Sequence, residues 1–264
     1  MNLILLTILV SIFGIAIGSF INVVVFRTFS KKDFVKGRSK CQKCLTPIAT
    51  IDLIPVISYF ALKGRCRNCS SVIAWQYPAV ELASGILFGL FFVRAALGVG
   101  FPEFVDQSEW VLLFARDVTL AVFLIIIFVY DFKYQYILDR FSIPAIILAL
   151  VFNLLLGADG VDLLLGGLLV GGFFAVQFLI SQGKWIGGGD IRMGLLMGFL
   201  LGLKLGVAAL FLSYILGAII GIGLIVSKKQ KLHSHVPFGT FLAVATIILM
   251  FCGPGLVDWY LALL

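Results

Sequence analysis

Charge is what this 264-residue chain lacks: 12% of its residues are Asp, Glu, Lys or Arg, against about 25% in soluble domains, while 61% are hydrophobic. A soluble fold is excluded, because it could not hide 25 Phe and 28 Gly in long uncharged runs, and the same apolar content excludes disorder. Residues 1–26 carry no charged side chain at all. They also lack the basic start and small-residue cleavage site of a signal peptide, beginning Met-Asn-Leu and ending Val25-Phe26-Arg27. A retained transmembrane helix over Leu3–Phe26 is therefore expected, at about 20 apolar residues per crossing. No Gly-x-Gly-x-x-Gly follows a strand-like run, so the Rossmann dinucleotide-binding pattern is absent. No internal repeat relates the two halves.

What is present is a series of apolar runs. Beyond the first, candidate helices are Pro78–Phe101, Val111–Tyr130, Phe141–Ala158, Leu163–Gly183, Met193–Leu203, Leu205–Val226 and Val236–Val257. The expected fold is an all-α polytopic membrane protein of about eight transmembrane helices with a cytoplasmic zinc-ribbon-like loop. Its divisions are residues 1–26 (first helix), 27–77 (four-cysteine metal-binding loop) and 78–264 (remaining helices). Met193–Leu203 is short for a crossing, since eleven residues at about 1.5 Å each cover half of a roughly 30 Å core. If it nevertheless crosses, 17 of the 20 Lys and Arg fall on one side, in residues 27–77, 131–140, 184–192 and 227–235. Glu103, Asp106, Glu109, Asp117, Asp159, Asp162 and Asp258 then fall on the other. The positive-inside rule puts the basic side in the cytoplasm and the amino terminus outside. The net charge of +7 is thus a topology signal and does not imply nucleic acid. Gly166-Gly167, Gly171-Gly172, Gly217 and Gly221 are expected at helix contacts.

Two places carry chemistry. Cys41-x2-Cys44 and Cys66-x2-Cys69 have the two-knuckle spacing of a zinc ribbon, and Lys40, Lys43, Arg65 and Arg67 beside them favour thiolate. Two disulfides are the alternative, but thiols on a cytosolic face stay reduced. With no open position and no nearby His, the metal would be structural. Cys252 reads as a small apolar residue, and His233 and His235 as solvated. The second place is a pair of carboxylates at helix ends. Asp131 directly follows the run to Tyr130, and Asp190 follows Gly187-Gly188-Gly189. Either alone is ordinary, Asp190 as an N-cap for instance. Two on one face make an aspartic dyad, in which close carboxylates share a proton, one serving as base toward water and the other polarising a carbonyl. Glu81, just inside a helix, suits either a substrate amine or a structural ion pair.

These residues resemble the bacterial prepilin peptidases, or type IV leader peptidases, over most of the chain. The resemblance is carried by Gly18-Ser19-Phe20-Ile21-Asn22-Val23-Val24 with Arg27, and by both Cys pairs. It extends through Asp52-Leu53-Ile54-Pro55-Val56-Ile57-Ser58-Tyr59, Tyr77-Pro78-x-Val80-Glu81-Leu82, Asp131 with Ile137-Leu138-Asp139, Gly187-x-Gly189-Asp190, and Val236-Pro237-Phe238-Gly239. It implies an aspartic peptidase with Asp131 and Asp190 as catalytic pair and Asp139 as runner-up for the first. It further implies prepilin or pseudopilin substrates with a basic leader and an apolar helix, and methylation of the new amine from S-adenosylmethionine. The site for that cofactor is not indicated. The chain departs from the family with Leu138 and Thr240, where proline is common, and with Arg192 in place of lysine. The rival reading is a transporter or channel with a zinc docking loop and a proton-relay carboxylate.

Overall fold

The computed structural model describes residues 2–33, 37–102, 104–227 and 237–262. Glu103, the Lys228–Lys231 run, His233, His235, Val236 and the side chain of Asp258 lie outside what it describes. Among the described residues the secondary structure is helical apart from two isolated β-bridges. Among the described residues, six helices are long and apolar enough to cross a membrane. The chain forms two compact units, Met1–Val93 and Arg94–Leu264.

The first unit is built on α1 (Leu3–Phe29) and the start of α3 (Gln76–Leu97), with the short α2 (Ile57–Ala61) in the intervening loop. Asn2 caps α1 by accepting the Ile4 N–H at 3.2 Å. The two long helices meet through small residues four apart on each: Gly14 and Gly18 on α1, Gly85 and Gly89 on α3. A Cβ on Gly14 would lie 2.7 Å from Phe88 Cβ, and one on Gly18 would lie 2.7 Å from Glu81 Cα. Lipid gives helices no hydrophobic reason to associate, so close backbone approach supplies the contact, and any larger side chain would force the pair apart.

The second unit holds α4 (Trp110–Tyr134), α5 (Asp139–Leu155), α6 (Gly160–Ser181), α7 (Gly188–Val226) and α8 (Phe238–Leu261). Helix α3 stops at Leu97, short of the expected Phe101, because Gly98 and Gly100 take positive φ of 65° and 63°. Helix α4 continues past Tyr130, so Asp131 belongs to its last turn rather than to the chain beyond it. Of the glycines expected at contacts, Gly166, Gly167 and Gly171 serve α6 against α7: a Cβ on Gly171 would lie 2.8 Å from Leu195 Cδ2, and one on Gly194 opposite 2.7 Å from Val170 O. Gly172 and Gly221 do not pack; a Cβ on either meets nothing within 4 Å.

The expected sixth and seventh segments form one helical stretch of 39 residues, broken at Gly202 (φ 75°, ψ −175°). A straight helix that long would reach about 58 Å, nearly twice a roughly 30 Å hydrocarbon core. The break orphans backbone groups, and side chains take them up. Leu203 N–H turns to the Asp162 carboxylate at 3.4 Å, while Asn153 Nδ2 donates to Phe199 O at 2.7 Å and Leu200 O at 2.8 Å. Asn153 Oδ1 accepts from Arg116 at 2.7 Å. Arg116 also grips Asp117 at 2.7 Å, and the other Asp117 oxygen accepts from Arg94 at 2.7 Å. Asn153, Arg116, Asp117 and Arg94 are all buried. Asp117, expected among the outward-facing carboxylates, is thus an interior group held between two guanidiniums. At Gly202 a side chain would meet both a left-handed backbone and the Asp162 carboxylate. Gly202→Ala is expected to cost about 1–3 kcal/mol, read as a lower thermal midpoint of the purified protein. An unchanged midpoint would mean the break does not need glycine.

Candidate active site

Helix α4 ends because Gln135 turns left-handed (φ 54°) and donates its N–H to Asp131 O at 2.7 Å. That turn leaves the Asp131 side chain buried, 5% exposed, at the boundary of the helix bundle. Its Oδ2 accepts the N–H of Thr240, in the first turn of α8, at 2.9 Å. Asp190 stands in the first turn of α7, 8% exposed, and its Oδ2 accepts the Gly187 N–H at 3.0 Å. A carboxylate suits this place, where unpaired N–H groups and the helix dipole present positive charge.

Ile137 lies where the first turns of α7 and α8 close on the α4–α5 loop. A Cβ on Gly189, beside Asp190, would lie 2.7 Å from Ile137 Cβ, and one on Gly239 would lie 2.7 Å from Ile137 Cδ1 and 2.8 Å from Asp131 Oδ2. The glycine run is therefore required at Gly189, where α7 closes on the α4–α5 loop, while a Cβ on Gly188 would meet nothing. Asp131 and Asp190 lie within Coulombic reach of each other. Two buried carboxylates so placed can divide the roles of proton acceptor and proton donor. Asp139 is differently used: it is exposed and ion-paired with Arg192 at 2.6 Å. Arg192 also donates to Ile137 O at 3.1 Å, strapping the start of α7 to the loop that carries Ile137.

In the first unit the four predicted cysteines converge, with all Sγ atoms within 4.8 Å of one another and Cys41 and Cys69 at 3.8 Å. Tetrahedral thiolates about 2.3 Å from one ion would lie about 3.8 Å apart, so the cluster has the size of a four-thiolate metal site. The two halves repeat each other. Cys41 N–H donates to Thr46 O and Leu45 N–H returns to Cys41 O, both at 3.0 Å; Cys66 N–H donates to Ser71 O and Ser70 N–H returns to Cys66 O, both at 2.9 Å. Leu45 and Ser70 take the same left-handed turn, with φ of 58° and 54°. Backbone N–H groups of Cys44 and Lys43 pull the Cys41 thiol down to about 6, and the Ser71 hydroxyl and N–H lower Cys69, while the neighbouring Cys41 and Cys69 sulfurs push Cys66 up. A bidentate Arg67–Asp52 pair at 2.6 and 2.9 Å ties the second knuckle to the loop.

A family model for the bacterial peptidase A24 N-terminal domain matches residues 12–95, and one for the type IV leader peptidase family matches residues 118–222. The prepilin leader peptidase/N-methyltransferase of Bacillus subtilis (strain 168) is 30% identical over 257 residues, covering 95% of this chain and 96% of that protein. The chain belongs to the type IV leader peptidase family. Similar family members include the prepilin leader peptidase/N-methyltransferases of Aeromonas salmonicida (strain A449), 29% identical over 96% of this chain and 93% of that one, and of Neisseria gonorrhoeae, 28% identical over 96% and 94%. No solved structure matches the chain. Membership disfavours the transporter or channel alternative. Within this family member, sequence reasoning missed the Thr240 amide, the place of Ile137 and the Arg192 strap. All three residues stand in the family motifs, but the Thr240 amide belongs to the backbone, and nothing in the sequence says what Ile137 and Arg192 touch.

Proposed function

We propose that the protein is a multi-pass enzyme of the bacterial inner membrane that removes the basic leader from prepilins or pseudopilins and N-methylates the new amino terminus. Asp131 and Asp190 act as the aspartic dyad, one carboxylate activating water while the other, protonated, polarises the scissile carbonyl. The observation that supports this reading is that two buried carboxylates, 59 positions apart in sequence, lie within Coulombic reach of each other in a chain of this family. The basic residues support an orientation with the amino terminus outside and the four-cysteine loop and dyad facing the cytoplasm. A substrate helix then remains in lipid while its leader stays in water, and cleavage takes place at the boundary.

The loop holds a structural zinc ion through Cys41, Cys44, Cys66 and Cys69, replacing the packed core that so short a segment lacks. One zinc per purified chain is expected, lost in Cys44→Ser, with protease sensitivity of the loop rising on metal loss. A zinc-free chain with an equally resistant loop would refute the structural metal. The methyl donor is S-adenosylmethionine, which supplies an electrophilic methyl group. Among the described residues there is no β-strand to precede a nucleotide-binding glycine turn, so helix and loop side chains bind it. Co-expression with a pilin-like substrate tests the whole reading. Wild type should convert the precursor to a leaderless, methylated product, and an unprocessed precursor would refute it.

A further inference from the structure

A newly formed α-amino group has an ordinary pKa of about 8, so at neutral pH it is mostly ammonium and has no lone pair to offer a methyl carbon. Methyl transfer therefore calls for groups that hold the ammonium and take its proton. Where α1 crosses α3, the buried polar groups are rich in acceptors. Asn22, 3% exposed, donates from Nδ2 to Tyr77 O at 3.1 Å, while its Oδ1 is buried with no donor. One turn beyond Tyr77 on α3, Glu81 is 7% exposed. Its Oε2 accepts the Val56 N–H at 2.7 Å, and the Ser19 hydroxyl faces the carboxylate. Ser19 and Asn22 lie three apart on α1, and Tyr77 and Glu81 four apart on α3, so each pair shares one face. Among the described residues no Lys or Arg pairs with Glu81.

The turn that donates to Glu81 is itself strained. Val56 has φ 63° and ψ −57°, a region that β-branched residues avoid, and such strain concentrates at functional sites. A buried carboxylate without a cation and a buried amide oxygen without a donor are both costly. One bound ammonium would relieve both costs, because it brings positive charge and several N–H donors.

Resting on the methyl-transfer reading above, we propose that Asn22 Oδ1 and the Glu81 carboxylate hold the new amino-terminal ammonium of the cleaved pilin, and that Glu81 is the base that deprotonates it. The proton passes from nitrogen to Glu81. The freed pair on nitrogen forms the N–C bond while the S–C bond of the sulfonium donor breaks, its electron pair staying on sulfur. Glu81 then releases its proton to water. The Val56 N–H keeps one oxygen oriented and leaves the other for the amine.

The test uses the full-length protein in lipid nanodiscs, without methyl donor, titrated with a peptide of the processed pilin amino terminus and with its N-acetylated form. A charge-assisted hydrogen bond corresponds to about a tenfold to hundredfold effect. Wild type should prefer the free amine by at least about tenfold, Glu81→Gln should lose that preference, and Glu81→Asp should regain part of it. With donor present, the methylated fraction of pilin already cleaved should fall about a hundredfold in Glu81→Gln and about tenfold in Asn22→Leu. Scoring only cleaved pilin makes this readout independent of cleavage rate, and Asn22→Leu decides the matter should Glu81→Gln fail to assemble. Equal binding of the two peptides by wild type, or an undiminished methylated fraction in the variants, overturns the assignment. A wild type that methylates nothing would instead refute the methyl-transfer reading, and the amine preference in binding would still decide the acceptor site.

Discussion

Asp131→Asn and Asp190→Asn are each expected to lower leader cleavage by about a thousandfold or more while the protein still inserts in the membrane. Asparagine keeps the size of the side chain and can still accept the Thr240 or Gly187 N–H that each aspartate now receives at 2.9 and 3.0 Å. What it cannot do is exchange a proton. In a dyad neither half works alone, since the base that activates water and the acid that polarises the carbonyl are one shared-proton unit. The double variant should therefore be about as inactive as either single one, a non-additivity expected of groups that act together. Additive losses would mean two independent sites. Asp139→Asn separates the alternatives further, because that carboxylate is exposed and paired with Arg192. Its loss should weaken the strap on α7 and reduce activity only partly.

Asp117→Leu should produce the largest loss of stability, about 3–5 kcal/mol, seen as aggregation or a steep fall in thermal midpoint of the purified protein. Asp117 is 1% exposed and is the one carboxylate between Arg94 and Arg116, which are 4% and 3% exposed. Removing it leaves two guanidiniums facing each other away from water. Arg116 also holds Asn153, which caps the carbonyls freed at Gly202. Replacing Arg94, Arg116 and Asp117 together with apolar residues should recover much of the loss, because the penalty lies in uncompensated charge rather than in missing attraction. Wild-type stability of Asp117→Leu would show that the network carries little of the fold.

Where the chain crosses the membrane was legible because charge-free runs have one physical meaning in lipid. The same logic misled at Asp117. A carboxylate near a helix end looks like an outward-facing group, and only the fold brings Arg94 to meet it, 23 positions away in sequence. The joint between the sixth and seventh segments was legible at Lys204, but not that a single glycine with φ of 75°, Gly202, makes it. The cysteine pairs were fully readable: four like residues at two short spacings specify their own convergence. The aspartates were readable as a pair but not as a place. Asp131 receives its hydrogen bond from an amide 109 residues away, and every non-proline residue carries such an amide. That amide belongs to Thr240, at a position where the family resemblance leads one to expect proline. A proline there has no N–H to donate, so the departure changes the site directly.

The most direct test is the intact mass of a purified prepilin after incubation with the purified wild-type, Asp131→Asn and Asp190→Asn proteins and S-adenosylmethionine. Wild type should yield a product lacking the leader and heavier by one methyl group, with both variants leaving the precursor whole. A precursor cut equally well by either variant would contradict the dyad.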